Sequence, residues 1–434
     1  MARHQKKRKV NRKPRLRIPP PPPHWLYDQK NGFFGLSILL ETDGSTGLAL
    51  WRAARTAWLV AEAGAKWRDA FRSLNSAKVG EAFTIDGDAP HLDAFARVRS
   101  RGEVTEPELA SACARISEWA GGVWKKQTEL HFAELAARAD PSNPELANAA
   151  ARLCREASYF DRSALWFERG YRFAVRVGNR GEAVSALLGY GALMKECGRL
   201  DEARRWFLKA ARRAARTGRK KRAAETRHDL MALAAEAGDD VADIIEHAEA
   251  AVELYPLYHR RLPYLAHDFA YALIRKQQFT LAYPLLELFV RIVPRRHLLP
   301  GVATFAWAAA GRGLVHRYED AERRALAQIG IDHQQAAPSL IFLAEGARAL
   351  RLWARAERHA REAITTAVRM NQSRYEQDAR ALLAEVQDRR LVTPAAVEMV
   401  EVYPLTRHFQ IRLRRWKPPR EDDDRGTGHN RASG

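Results

Sequence analysis

The chain has 434 residues, 46% of them hydrophobic, and a formal net charge of +20. That is enough apolar material for a sizeable core or for one long repeat array, which excludes disorder of the chain as a whole. The apolar stretches VATFAWAAA (302–310) and SLIFLA (339–344) fall far short of the ~18 residues of a membrane span, so none is expected.

Residues 1–24 carry nine Lys/Arg and no Asp/Glu. In this head Lys6, Lys7, Arg8, Lys9, Arg12, Lys13, Arg15 and Arg17 precede five prolines. The composition predicts a disordered basic segment and then polyproline II, where a secretory signal would need an apolar run of ~7–15 residues. The expected location is therefore cytoplasmic. Such a basic run either docks on nucleic acid, a ribosome or another anionic surface, or serves only as a solubilising tail.

Residues 25–141 read as a helical N-terminal module. GSTGLALWRAARTAWLVAEAG predicts a helix, with Leu50, Ala54, Trp58 and Ala61 recurring at helical spacing. TEPELASACARISEWAGG and KKQTELHFAELAARADPSNP predict two more, the first opened by a Thr105/Glu108 capping box. LNSAKVGEAFTIDGDAPHLD (74–93) reads as a loop between them.

Residues 142–390 repeat. Small residues at Ser163, Ala203, Ala282, Ala321 and Ala356, with Ile244 as a larger exception, serve as anchors 35 to 41 residues apart. Twelve positions before each anchor stand Ala151, Gly191, Ala232, Ala270, Ala309 and Ala344, all small. Three before it stand Phe160, Leu200, Val241, Phe279, Tyr318 and Trp353, all large. Four after it stand Phe167, Phe207, Ala248, Leu286, Ala325 and Ala360. Seven after it stand Gly170, Ala210, Ala251, Phe289, Gln328 and Ala363. Small side chains let two antiparallel helices cross closely, the large residue plugs the turn, and the remaining face packs on the next hairpin. A single hairpin cannot bury its apolar stripe, whereas stacked neighbours can. Pro256 and Pro294 fall where second helices should stop.

This small–large–small–aromatic–small pattern resembles the tetratricopeptide repeat (TPR) family over about 145–370. The resemblance implies an all-α fold, a right-handed α-α superhelix (TPR-like solenoid) of about six helical hairpins with flanking helices. Ile244 and Gln328 depart from the pattern, and the period exceeds the family's usual ~34 residues, which calls for longer helices or linkers. SRYEQDARALLAEVQDRR predicts an amphipathic capping helix, with Tyr375, Ala379, Leu382, Leu383 and Val386 on its covered face. Residues 391–434 read as a mostly disordered basic tail that starts with a strand-like alternation of Phe409, Ile411 and Leu413.

Two surfaces are candidates for function. In GRLDEARRWFLKAARRAARTGRKKR (198–222), Phe207, Ala210, Ala211 and Ala214 share the Ala203 side of a helix. Arg204, Arg205, Lys209, Arg212, Arg213 and Arg216 share the other side. With Lys6, Lys7, Arg8 and Lys9, that basic side is either a polyanion-binding patch or simply a solvated face, and no aromatic residue is expected to interleave it. The second surface is the groove that the resemblance places along the first helix of each hairpin. Its inward positions would include Asn148, Arg152, Arg155, Lys195, Asp229, Tyr264, His267, Tyr271, Arg275, Glu345 and Arg348. Basic and aromatic groups predominate there, which suits an acidic or C-terminal peptide. The carboxylate-clamp pattern of chaperone-binding members is not reproduced.

His228–Asp229 and His267–Asp268 lie one repeat apart and stack on adjacent hairpins in this reading, either as a metal or proton-shuttling pair or as ordinary hydrogen-bonded helix residues. Cys113, Cys154 and Cys197 are odd in number, lack CxxC spacing and sit in apolar helical contexts, so reduced buried thiols are expected. No phosphate loop, GxGxxG, GxSxG or zinc signature is present, so catalytic residues, cofactor and metal are all expected to be none. The sequence thus predicts a non-enzymatic scaffold or adaptor that binds another protein or an acidic peptide. The alternative is a nucleic-acid- or ribosome-associated protein using the basic tail and the Arg-rich convex helix.

Overall fold

The computed structural model describes residues 18–22, 36–42, 44–63, 95, 105–123, 125–294, 298–330, 333–370, 372–391 and 402–418. Lys6, Lys7, Arg8, Lys9 and the 74–93 segment lie outside the described residues. Among the described residues every regular element is a helix: α1 (Leu36–Glu41), α2 (Gly44–Ala63), α3 (Glu106–Gly122), α4 (Lys126–Ala139), α5 (Pro144–Glu156), α6 (Phe160–Arg176), α7 (Arg180–Glu196), α8 (Leu200–Arg216), α9 (Lys220–Ala237), α10 (Val241–Leu254), α11 (Leu262–Arg275), α12 (Phe279–Ile292), α13 (Leu298–Gly311), α14 (Val315–Ile329), α15 (His333–Ala349), α16 (Trp353–Arg369), α17 (Ser373–Gln387) and α18 (Val402–Arg415). The chain divides into two compact units, Met1–Leu153 with Asp161–Ala186, and Cys154–Phe160 with Leu187–Gly434.

In the first unit, α1 to α4 bury Ile38, Leu50, Ala54, Leu109, Cys113, Ile116, Phe132 and Leu135 in one cluster, with Trp58 packed at its edge. Both halves of the Thr105/Glu108 capping box form. The Glu41 carboxylate caps α4, accepting from the backbone N–H groups of Gln127 at 2.7 Å and Thr128 at 2.8 Å. An anion is favourable there because the first-turn N–H groups lack helical partners.

From α5 onward the helices form hairpins, α5/α6 through α15/α16, and all six anchors are buried. Phe160, Leu200, Val241, Phe279 and Trp353 are each the first residue of a second helix. The fifth hairpin departs from the predicted register. There α14 begins at Val315, so Tyr318, three residues in, holds the place that Ser163, Ala203, Ile244, Ala282 and Ala356 hold elsewhere. Ala232 is only half-buried, whereas its five counterparts are buried.

Three-residue turns recur at 157–159, 177–179, 197–199, 217–219, 238–240, 276–278, 312–314 and 350–352. The middle residue has positive φ in seven of them, at Ser158, Gly178, Gly198, Gly218, Gln277, Gly313 and Arg351. Around Gly198, the Arg199 N–H donates to the Met194 carbonyl at 2.9 Å and the Gly198 N–H to the Lys195 carbonyl at 2.9 Å. This pair of bonds ends a helix with a left-handed residue and satisfies its orphan carbonyls. Both predicted sources of the long period occur. Helices α6, α7 and α8 each have 17 residues, and residues 255–261 form a longer linker between α10 and α11.

Small residues stand where rings approach. A Cβ on Gly191 would lie 2.5 Å from the Phe207 ring, and one on Gly301 would lie 2.4 Å from Phe289. The predicted capping helix is α17, which packs on α16 and buries Ala379, Leu382 and Val386. The strand-like reading of 409–413 is corrected, since these residues belong to α18. Val402, Leu405, Thr406, Phe409 and Leu413 are buried at helical spacing, and Phe409 stacks on Phe269 with centroids 5.1 Å apart. Trp416 Nε1 donates to the His259 carbonyl at 3.1 Å, and Arg412 donates to the Tyr255 carbonyl. This part of the predicted tail is therefore ordered by the repeat it covers.

Cys113 and Cys154 are buried and form no disulfide, as expected. The expectation of a buried thiol is corrected at Cys197, which is exposed because it opens the 197–199 turn. No helix among the described residues is long and apolar enough to cross a membrane.

Candidate functional site

In the second unit the ends of four first helices, α5, α7, α9 and α15, carry ion pairs. Arg155 pairs with Glu196, and Lys195 Nζ lies 3.5 Å from Glu236. Glu236 also pairs with Arg374 of α17. Arg348 bridges Glu345 at 2.5 Å and Glu385 of α17. Arg155, Lys195, Glu236 and Arg348 share one register, five residues before the start of the following second helix. The same register holds buried Ile274 on α11 and Ala310 on α13, so the charged positions fall on α5, α7, α9 and α15, and α17 joins the last two through Arg374 and Glu385.

An aromatic group sits on the first helices α11, α13 and α15 of the same unit. Tyr271 of α11 meets Trp307 of α13 at 6.3 Å and Phe342 of α15 at 5.4 Å, and the last two stack at 6.0 Å. Burial pushes the Tyr271 phenol up, and the hydrogen-bonded Arg275 guanidinium opposes it. Burial and the nearby Glu196 carboxylate push the Tyr375 phenol up. Burial raises the Glu345 carboxyl, a rise only partly offset by Arg348. Low local polarity thus favours neutral phenols, and the charges that remain are kept in pairs.

The predicted groove residues fall into three groups. Arg155, Lys195, Tyr271, Arg275, Glu345 and Arg348 belong to this row or its aromatic neighbours, with Arg275 exposed and Arg348 only 4% exposed. In the second unit Asp229 is held instead by Arg261 at 2.6 Å. Tyr264 and His267 pack on Phe289, at 5.9 Å and 4.8 Å. In the first unit Asn148 is buried and donates to the Glu182 carboxylate at 2.8 Å, while Arg152 is exposed. Sequence reasoning missed Glu196, Glu236, Trp307, Phe342 and Arg374. Trp307 and Tyr271 both lie eight residues before a second helix, but the three-residue shift in the fifth hairpin hides the match when Ala321 is the anchor.

The two His–Asp dyads share one carboxylate. Asp268 accepts from His228 Nε2 at 2.9 Å and from His267 Nδ1 at 2.9 Å, and His267 Nε2 reaches Thr304 Oγ1 at 3.3 Å. Burial alone would raise Asp268, but the two imidazole hydrogen bonds hold it far below the ordinary carboxylate range. Asp229 takes no part. No group of three or more His, Cys, Asp or Glu able to hold a metal occurs among the described residues.

On α8 the predicted two-sided pattern forms, with Ala203, Phe207, Ala210 and Ala214 buried and Arg205, Lys209, Arg212 and Arg216 exposed. Arg204 is drawn aside to Asp239 at 2.5 Å, and Arg213 is half-buried. Trp206 borders the basic side, with Lys209 Nζ 4.5 Å over its ring and Tyr190 at 4.8 Å.

No protein-family model matches the chain, and no curated protein does. Among solved structures, a circular tandem repeat protein with novel repeat topology and enhanced subunit contact surfaces covers 88% of this chain and 94% of its own. It does so at 16% identity and a TM-score of 0.19, too low to support an argument, so the helical tandem-repeat description rests on the hairpins themselves.

Proposed function

We propose that the protein is a non-enzymatic, TPR-like scaffold of the cytoplasm that binds another protein through the first-helix surface of its second unit. The carrying observation is the shared register of Arg155, Lys195, Glu236 and Arg348 beside the Tyr271, Trp307 and Phe342 cluster. A repeat that stacks only for stability has no need of a charged row at constant height. The partly exposed pairs Arg155–Glu196 and Lys195–Glu236 contribute at most about 1 kcal/mol each, so a partner's charged groups exchange with them at little cost, whereas buried Arg348 keeps its own carboxylates. The aromatic cluster supplies the apolar anchor that recognition surfaces use. An acidic segment, engaging Arg275 and Arg155, fits this reading best.

Affinity capture from the native cell, with nuclease added, tests it. A protein partner should survive the nuclease and the removal of residues 1–24, and should be lost in Arg275→Ala, which removes an exposed side chain. If Arg275→Ala and Arg155→Ala both leave recovery unchanged, the reading is wrong.

A further inference from the structure

We infer that the outer stripe of α8 is a second, separate interaction surface, and that its partner is the phosphate backbone of a nucleic-acid duplex. Arg205, Lys209, Arg212 and Arg216 follow one another at intervals of four, three and four residues, so they lie along one side of the helix. At 1.5 Å per residue the stripe is about 16 Å long, with cations every ~4.5–6 Å. A strand that rises 3.4 Å per nucleotide sets about five phosphates against that length. Arg219 and Lys220, in the next turn and at the start of α9, are also exposed.

Three observations select this partner. First, among the described residues Arg205, Arg212, Arg219 and Lys220 have no carboxylate partner, although Arg199, Arg204, Arg222 and Arg227 all have one. The acids of α8 itself, Asp201 and Glu202, are confined to its first turn. Second, the surface is the outer side of a second helix. It offers charge at regular intervals along one exposed helix side. Third, the one bordering aromatic is already covered. Lys209 and Tyr190 occupy the neighbourhood of the Trp206 ring, which leaves it a poor platform for unpaired bases. Charge without stacking favours a duplex backbone over a single strand, and contacts of this kind position without reading sequence. Glu246, Glu249 and Glu253 stand exposed on α10, the next second helix, and confine a polyanion to α8.

The test uses full-length protein and a fluorescent 20-base-pair duplex, as RNA and as DNA, titrated by anisotropy across a salt series. The variant is Arg205→Gln/Arg212→Gln/Arg216→Gln, made both in the wild-type chain and in one carrying Lys6→Gln/Lys7→Gln/Arg8→Gln/Lys9→Gln. The three changes are exposed, so helix content and melting temperature should match the parent. In both backgrounds affinity at 0.1 M salt should fall by roughly two orders of magnitude, and the log–log salt slope should flatten by about 2–3. An unchanged affinity, or a loss seen only on neutralising the head, overturns the proposal. So does tighter binding of the matching single strand, of polyglutamate, or of vesicles with 30% phosphatidylserine. Retained capture of the protein partner by the triple variant would show that the two surfaces are independent.

Discussion

The turns decide most at the scale of single residues. Glycine takes positive φ without steric cost, but Gln277 and Arg351 hold the same conformation at φ 60° with side chains attached. Gln277→Gly and Arg351→Gly should therefore each raise stability by about 1 kcal/mol, read as a higher midpoint in chemical denaturation; an unchanged or lower midpoint would show that the side chains compensate. Gly198 and Gly313 are legible in the sequence as helix stops. Ser158, Gln277 and Arg351 are not, because tertiary packing forces a left-handed residue wherever two paired helices need a three-residue turn. His131 supplies a pH signature. It is 1% exposed, Ser37 Oγ lies 2.7 Å from its Nε2, and burial with the nearby Arg162 charge pushes its pKa down to about 3. The folded pKa lies below the unfolded value, so the unfolded chain takes the proton first as pH falls. Its stabilising contribution is complete above pH ~6.5 and declines below it, by on the order of 2 kcal/mol at pH 5. Thermal melts from pH 7 to 5 should show that decline, and His131→Gln should flatten it.

Helical periodicity is the dependable signal for whole elements, and short apolar runs are where it fails. The helix ends predicted from Thr105, Pro256 and Pro294 agree with α3, α10 and α12, because capping and proline sterics act locally. Residues 409–413 were ambiguous for a physical reason. Phe409, Ile411 and Leu413 alternate over too few residues to separate a strand from a helix, and the buried set becomes helical only when Val402 and Leu405 are included. Sequence alone gave no sign that this element would find Phe269. Its docking carries a cost if lost: Phe409→Ala should destabilise the second unit by about 3–5 kcal/mol, seen as a lower melting temperature and a smaller protected amide set in α11 and α12. A shift below about 1 kcal/mol would mean that α18 is only loosely held.

For the molecule as a whole, the fold was more legible than the site. The all-α hairpin array follows from apolar residues recurring with the repeat, a pattern that packing cannot do without. The site depends on which charged residues meet across hairpins, and only three-dimensional register reveals that Lys195 faces Glu236 or that Arg374 returns to the same carboxylate. The predicted cations Arg155, Lys195 and Arg348 are paired with Glu196, Glu236 and Glu385, acids that the groove pattern did not include, which turns an open basic groove into a balanced set of charges with Arg275 at its exposed edge. The central claim is that this row, and not the outer face of the second helices, meets the protein partner. A photoreactive side chain placed at Arg275, and in a separate protein at exposed Arg361 on α16, tests it most directly in nuclease-treated extract. The account predicts a discrete protein adduct from position 275 and none from position 361. An adduct from 361 with none from 275 would contradict it.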